Sequence, residues 1–296
     1  MNRRAGTKMK IYAGIDIGGT SIKYGLINER GEVVFGADVR TPAREGGEAV
    51  IKAAEDAARS LIAREPGVCG IGISTAGTVD PVSGTVTYAN SNLPGYGGTC
   101  WGELIDRNFG LPWSVDNDVS SAAKAEAWVG AAKGLDDFFC VTVGTGIGGA
   151  AFVGGKLYRG ANGRAAQIGY MNTAGGPEWY ERKASASALV RLAGVKDMGA
   201  KEIFGSARAG DKRISELLEA WFDDVAQGLA NVIYTMDPGV IVIGGGVSGA
   251  GSFLTDGIMR SLGNIVPEAF LAGTELRTAL CGNAAGMIGA VRELVG

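Results

Sequence analysis

Two stretches of the chain share one pattern: an apolar run, a glycine-rich turn, and a second apolar run that follows at once. The first reads Tyr12-Ala-Gly-Ile-Asp-Ile-Gly-Gly-Thr20 and continues as Ser21-Ile-Lys-Tyr-Gly-Leu-Ile27. The second reads Cys140-Val-Thr-Val-Gly-Thr-Gly-Ile-Gly-Gly149 and continues as Ala150-Ala-Phe-Val153. Strand, tight turn and strand make a hairpin whose turn exposes backbone N–H groups. Glycine lets that backbone approach a phosphate with no Cβ in the way. Two such hairpins suggest an internal duplication that clamps a nucleotide between its halves, and the pattern points to a phosphotransferase.

The remaining pattern repeats the duplication. The first 40 residues predict a three-stranded meander whose second turn is Asn28-Glu-Arg-Gly31. Residues 48–64 place Val50, Ile51, Ala54, Ala58, Leu61 and Ile62 on one helical face. A buried strand is expected at 68–74. The Gly, Pro and Asn-rich stretch 75–99 reads as a long, functional loop. A helix at 101–109 and a strand at 113–116 lead to Asp116-Asn-Asp118, where a helix over 119–132 begins. After the second meander come an irregular segment at 160–182, helices to about 235 and a strand at 240–243. A helix near 253–261, a strand at 274–280 and a terminal helix at 284–294 complete the reading. Each half runs meander, helix, strand, helix, strand. The domains are expected at 9–118 with about 283–296, and at 119–282, hinged near Asp118 without a low-complexity linker.

Composition narrows the chemistry. The chain's 296 residues suit two medium domains, and its 50 glycines follow no collagen-like period. A net charge of −3 gives no electrostatic footprint for nucleic acid or acidic membranes. No apolar stretch approaches a membrane span and no signal-type segment precedes Asp16, so a cytoplasmic protein is expected, with residues 1–8 a frayed extension. Cys69, Cys100, Cys140 and Cys281 form no C-x-x-C pair. Cys69 and Cys140 lie in strand-like runs and read as buried structural thiols. There is no histidine. This removes His general bases, Ser-His-Asp triads and His-containing zinc sites. The base must then be a carboxylate or, failing that, Lys, Tyr or Cys.

Asp16, at a strand end before Gly18, Gly19 and Thr20, is a structural cap or, given the second glycine turn, a holder of hydrated Mg²⁺. No Walker-type loop occurs. Two segments match G-x-G-x-x-G, starting at Gly144 and Gly244. The first leads into a strand, which argues against a dinucleotide fold. The second follows a strand and opens a helix, but the next strand ends in Leu280, Cys281 and Gly282 rather than in a ribose-binding acid. It reads as a shelf for adenosine, with a plain strand-to-helix turn as the alternative. Asp116-Asn117-Asp118 supplies either a helix cap or a general base.

Together these segments resemble the ROK family (repressors, open reading frames, kinases). The resemblance rests on Asp16-Ile-Gly-Gly-Thr20, Gly72-Ile-Ser-Thr-Ala-Gly77-Thr-Val-Asp80, Asn117-Asp118, Gly144-Thr-Gly-Ile-Gly-Gly149, Tyr158-Arg-Gly-Ala-Asn-Gly163 and Val242-Ile-Gly-Gly-Gly246. It implies an α/β fold of two RNase-H-like domains of the actin/hexokinase type, with a central cleft closing on ATP and a sugar, and a homodimer. Asp118 matches the catalytic base. Gly77, Asn92, Asn117, Gln167, Tyr170 and Glu181 match sugar-site positions. Asp16, Gly18, Gly19, Thr20, Lys23, Thr145 and Gly146 match the phosphate site, with Asp16 holding Mg²⁺ through water, and Gly244, Gly245 and Gly246 match the adenosine shelf. Two departures stand out. Where family kinases commonly carry Glu-x-Gly-His, this chain has Gln167-Ile-Gly-Tyr170, and the zinc motif that should follow is absent. Tyrosine without zinc resembles a branch of β-glucoside kinases and some N-acetylmannosamine kinases. The resemblance thus implies an ATP- and Mg²⁺-dependent kinase acting on a hydroxyl, O6 foremost, of a hexose, hexosamine or β-glucoside. A weakly catalytic sugar sensor is the alternative. A repressor would need a DNA-binding domain ahead of Asp16, for which this reading leaves no room.

Overall fold

The computed structural model describes residues 9–89, 92–173, 178–195 and 198–295, so the expected N-terminal extension lies outside the described residues. The chain divides into two compact units, Met1–Val129 with Asn283–Gly296, and Gly130–Gly282. The C-terminal segment thus returns to the first unit. The other division falls at Val129 rather than near Asp118, so the helix that Asp118 opens stays with the first unit.

In chain order the first unit contains β1 (Ile11–Ile17), β2 (Ser21–Asn28), β3 (Val33–Arg40), α1 (Gly47–Arg64) and β4 (Val68–Thr75). It continues with β5 (Thr78–Asp80), β6 (Thr85–Tyr88), α2 (Trp101–Asn108), β7 (Trp113–Asn117) and α3 (Asp118–Val129). The second unit contains β8 (Phe138–Val143), β9 (Ile147–Val153), β10 (Lys156–Tyr158), α4 (Tyr180–Ala184), α5 (Ala186–Ala193), α6 (Ala200–Arg208) and α7 (Lys212–Met236). It ends with β11 (Val240–Gly244), α8 (Ser252–Ile265), α9 (Glu268–Leu271) and β12 (Glu275–Thr278), after which α10 (Ala285–Val291) rejoins the first.

Both sheets have one topology. The orders are β3-β2-β1-β4-β7 and β10-β9-β8-β11-β12. In the first, β2 is antiparallel to β1 while β4 and β7 run parallel to it. In the second, β9 is antiparallel to β8 while β11 and β12 run parallel to it. This is the RNase-H-like plan, present twice. The stretch 75–99 differs from the expected loop in carrying the β5–β6 hairpin.

The two faces of the first sheet are built differently, and strand alternation decides how. Ala13, Ile15 and Ile17 join a core with Val50, Ala54, Ala58 and Leu61 of α1. On the other face stand glycines: a Cβ at Gly14 would lie 2.6 Å from the Met287 carbonyl oxygen, and one at Gly72 2.5 Å from that of Ala290. These glycines let α10 lie almost on the strand backbones. The helix answers with its own, since a Cβ at Gly289 would lie 1.7 Å from the Ser121 oxygen of α3. Asp16, Ser74 and Asp116 pair across β1, β4 and β7 and so share one face. In the second unit Phe139, Val141, Ile241 and Ile243 pack with Trp221, Phe222, Val225 and Leu229 of α7.

One expected burial is corrected. Cys140 is buried, but Cys69 is exposed. The pairing of β1 with β4 shifts between Ile11 and Ala13, leaving Cys69 and Gly70 opposite the single residue Tyr12. That bulge turns the Cys69 side chain to solvent.

Candidate active site

In the first unit the candidate side chains gather at the carboxyl ends of the parallel strands β1, β4 and β7, where open α/β sheets place their ligands. The turn between β1 and β2 is closed by Gly18 N–H donating to the Ser21 carbonyl (3.1 Å) and fastened by the Thr41 hydroxyl donating to the Gly18 carbonyl (2.6 Å). Gly19 lies beside Asn92, 3.7 Å separating a built Cβ from that of the asparagine. On the neighbouring strand the Ser74 hydroxyl donates to Asp16 Oδ1 (2.7 Å), while Lys23 Nζ stands 3.7 Å from Oδ2. A Cβ on Gly286 would lie 2.3 Å from Asp16 Cγ, so α10 fits against this carboxylate only because residue 286 is glycine.

The end of β7 supplies the second carboxylate. Asn117 Nδ2 donates to the Gly77 carbonyl (2.7 Å) and to Asp118 Oδ1 (2.8 Å). Asn117 Oδ1 in turn accepts from Val119 N–H (3.0 Å) and Ser120 N–H (3.3 Å). The helix-capping work therefore falls chiefly to Asn117. Asp118 Oδ1 accepts from Val119 N–H at 2.8 Å.

Electrostatics separates these carboxyls from ordinary surface acids. Asp118 is an exposed residue, yet the protein atoms crowded around its carboxyl withdraw it from bulk water. That desolvation first, and the Asp16 charge second, push its pKa up to about 6, against the opposing hydrogen bonds from Val119 and Asn117. Asp16 is also raised by burial, with Ser74 and Lys23 pulling the other way.

In the second unit the equivalent turn is closed by Gly144 N–H on the Gly146 carbonyl (2.9 Å). Gly245, in a left-handed conformation (φ 85°), leaves room for nothing larger: a Cβ there would lie 2.4 Å from the Val143 oxygen. The turn carrying Gly244, Gly245 and Gly246 is thus packed against the strand end that leads to Gly144, Thr145 and Gly146. Glu181 belongs to this turn as well, since its Oε2 accepts from Ile147 N–H (3.3 Å) and would meet a Cβ on Gly146 at 2.5 Å. Gln167 is exposed at the centre of a tight turn in which Ile168 N–H donates to the Ala166 carbonyl (2.7 Å). Ala166 itself holds φ 62°, a left-handed value unusual for a residue with a Cβ. Tyr170, half open to solvent, meets Trp179 edge-on with centroids 5.1 Å apart.

The structure thus groups Asp16, Gly18, Gly19, Thr20, Lys23, Gly77, Asn92, Asn117 and Asp118 in the first unit. Thr145, Gly146, Gln167, Tyr170, Glu181, Gly244, Gly245 and Gly246 lie in the second. Sequence reasoning missed Ser74, Gly286, Trp179 and the buried Lys124. Only Gly286 left a signal, through the three-residue glycine spacing of Gly286 and Gly289 in a helical stretch.

A duplicated RNase-H-like plan with glycine turns after the first strand of each copy, and aspartates at the ends of β1 and β7, defines the actin/hexokinase type of fold. The ROK family matches residues 12–294, and the chain belongs to that family. It is 33% identical over 302 residues to a beta-glucoside kinase of Listeria innocua, covering 96% of each chain. Among solved structures it is similar to a ROK family glucokinase from Streptomyces griseus in complex with glucose and AMPPNP, with a TM-score of 0.84, 30% identity, and 96% and 98% of the two chains covered. It is likewise similar to a ROK hexokinase from Thermus thermophilus, with a TM-score of 0.77, 32% identity, and 95% and 97% covered.

Proposed function

We propose that this chain is an ATP-dependent sugar kinase that phosphorylates a hydroxyl, O6 foremost, of a hexose, hexosamine or β-glucoside. The observation that carries this reading is the Asn117–Asp118 pair at the end of β7. Its carboxyl, with a pKa pushed up to about 6, directly follows β7, a strand of the sheet that carries Asp16 and the first glycine turn. The kinase and glucokinase relatives support the reaction class, and the beta-glucoside kinase of Listeria innocua supports the substrate class.

In this reading Asn117, with Gly77 and Asn92, orients the sugar. Asp118 Oδ1 is engaged by Asn117 and Val119, and the carboxylate accepts the proton of the attacking hydroxyl. The hydroxyl oxygen bonds to the γ-phosphorus as the bond to the ADP oxygen breaks, giving a sugar phosphate and ADP, and Asp118 then returns its proton to water. The turns at 18–20 and 144–146 present backbone N–H groups to phosphate oxygens, and 244–246 forms the shelf for adenosine. Gln167, Tyr170 and Glu181 contribute to the choice of sugar. The donors at Asp16, one carboxylate beside the Ser74 hydroxyl, fit a Mg²⁺ ion held through water rather than caged by protein. Bound there with ATP, it would neutralise charge on the transferring phosphoryl.

The test is Asp118→Asn, assayed by ADP release over glucose, mannose, fructose, N-acetylmannosamine, N-acetylglucosamine and cellobiose. Turnover is expected to fall roughly 10²–10⁴-fold with sugar binding retained. Turnover within a few-fold of the parent would reduce Asp118 to a helix-end residue and remove the mechanism.

A further inference from the structure

Behind the Asn117–Asp118 pair lies a charge that the mechanism does not use. Lys124 of α3 is 5% exposed, and its ammonium sits 2.8 Å from Asp116 Oδ2 and 3.1 Å from Glu293 Oε1. Asp116 is buried too, and its other oxygen, Oδ1, accepts the backbone N–H of Asn117 at 2.9 Å. The connections form one line. Lys124 fixes one oxygen of Asp116, and the other fixes the Asn117 backbone. The Asn117 amide then spans the Gly77 carbonyl and Asp118 Oδ1.

We infer that Lys124 is a positioning residue for Asp118, holding the strand-to-helix junction so that the Asn117 amide and the Asp118 carboxylate keep one orientation. This inference rests on the reading of Asp118 as the base.

Physical chemistry favours positioning over simple stabilisation. Burying a lysine and an aspartate is costly, and replacing such a pair by apolar groups is often neutral for stability or better. Lys124 lies roughly a turn and a half along α3 from Asp118, so it reaches back to the strand that α3 leaves. The lysine is not among the charges that set the Asp118 pKa, which are dominated by desolvation and Asp16. Its influence runs through hydrogen bonds and backbone. Glu293, in the short turn Arg292–Leu294 after α10, adds a second anion from the opposite end of the chain.

The experiment compares the parent with Lys124→Met and Lys124→Arg in the full-length chain, measuring kcat per folded molecule, KM for ATP, and the acid-side midpoint of kcat/KM against pH. Lys124→Met is expected to lower kcat roughly 10–100-fold, the scale of an ångström-level misplacement, with KM for ATP unchanged within about twofold. Its acid midpoint is expected to move, because the Asp118 carboxyl no longer holds its place beside Asp16. Lys124→Arg, which keeps a cation against Asp116, is expected to recover most of the loss. A purely structural role would lower the melting temperature and the folded fraction but leave kcat of the folded molecules and the midpoint in place, and that result overturns the inference. If Lys124→Met does not fold, the double variant Asp116→Asn with Lys124→Met removes both charges. A folded double variant with parental kcat and midpoint overturns it equally. Inactive Asp118→Asn beside a fully active Lys124→Met rejects the positioning role alone, whereas active Asp118→Asn rejects the base itself.

Discussion

As the proposed base, Asp118 has to be charged to accept a proton, in surroundings that disfavour the charge. Its pKa near 6, against an ordinary aspartate value of about 3.9, places the acid limb of activity close to neutrality. The expected profile of kcat/KM is flat above about pH 7 and falls as pH drops through 6. A profile still flat at pH 5 would assign the base elsewhere. Stability carries the opposite sign from the usual paired carboxylate. Between the ordinary carboxylate range and about 6, the folded chain holds the Asp118 proton and the unfolded chain does not, so this residue's contribution becomes more favourable as pH falls through that window. Above it, the ionised side chain weighs against the fold. Asp118→Asn is therefore expected to raise the melting temperature at pH 7.5, with the advantage shrinking by pH 5. Melts showing the same difference at both pH values would contradict this linkage.

At the scale of elements, close approach rather than apolar bulk shapes the first unit. The Ser121 carbonyl occupies the space that a Cβ on Gly289 would need. Gly289→Ala is expected to cost about 1–3 kcal/mol in a denaturant titration, the usual range for overpacking. Gly263→Ala serves as the counter-case. It lies within α8, exposed, with no atom within 4 Å of a built Cβ, and should gain about 0.5–1 kcal/mol from helix propensity. Equal effects at the two sites would refute the packing account. The same contrast explains what the sequence made legible. The meanders, α1, the strand ends carrying Asp16 and the Asn117–Asp118 pair all announce themselves through local periodicity and turn chemistry. Ser74 against Asp16 depends on strand register, and Gly286 beneath that carboxylate on a helix contributed from the far end of the chain. Nothing local encodes such meetings. Cys69 is the reverse case, where a one-residue bulge overrides an otherwise sound alternation.

For the whole molecule, metal content is a direct check on the expected absence of zinc. It has no histidine, no cysteine between 162 and 187, and among the described residues no group of three metal-capable side chains placed to hold an ion. The purified protein is expected to carry no stoichiometric zinc, and a chelator should leave its melting temperature unmoved in the absence of nucleotide. One equivalent by elemental analysis would sink this expectation. The division of the chain has a consequence in time. Residues 283–296, which bring α10 onto the sheet of the first unit, are synthesised only after the whole of the second unit. At roughly 5–20 residues per second, the first sheet waits roughly 8–30 s with Gly14, Gly72 and the Asp16 carboxylate uncovered. The second unit, which is continuous, has every residue it needs before then. The usual N-terminal-first order of folding on the ribosome is thereby inverted, and the first unit can close only when its last helix emerges.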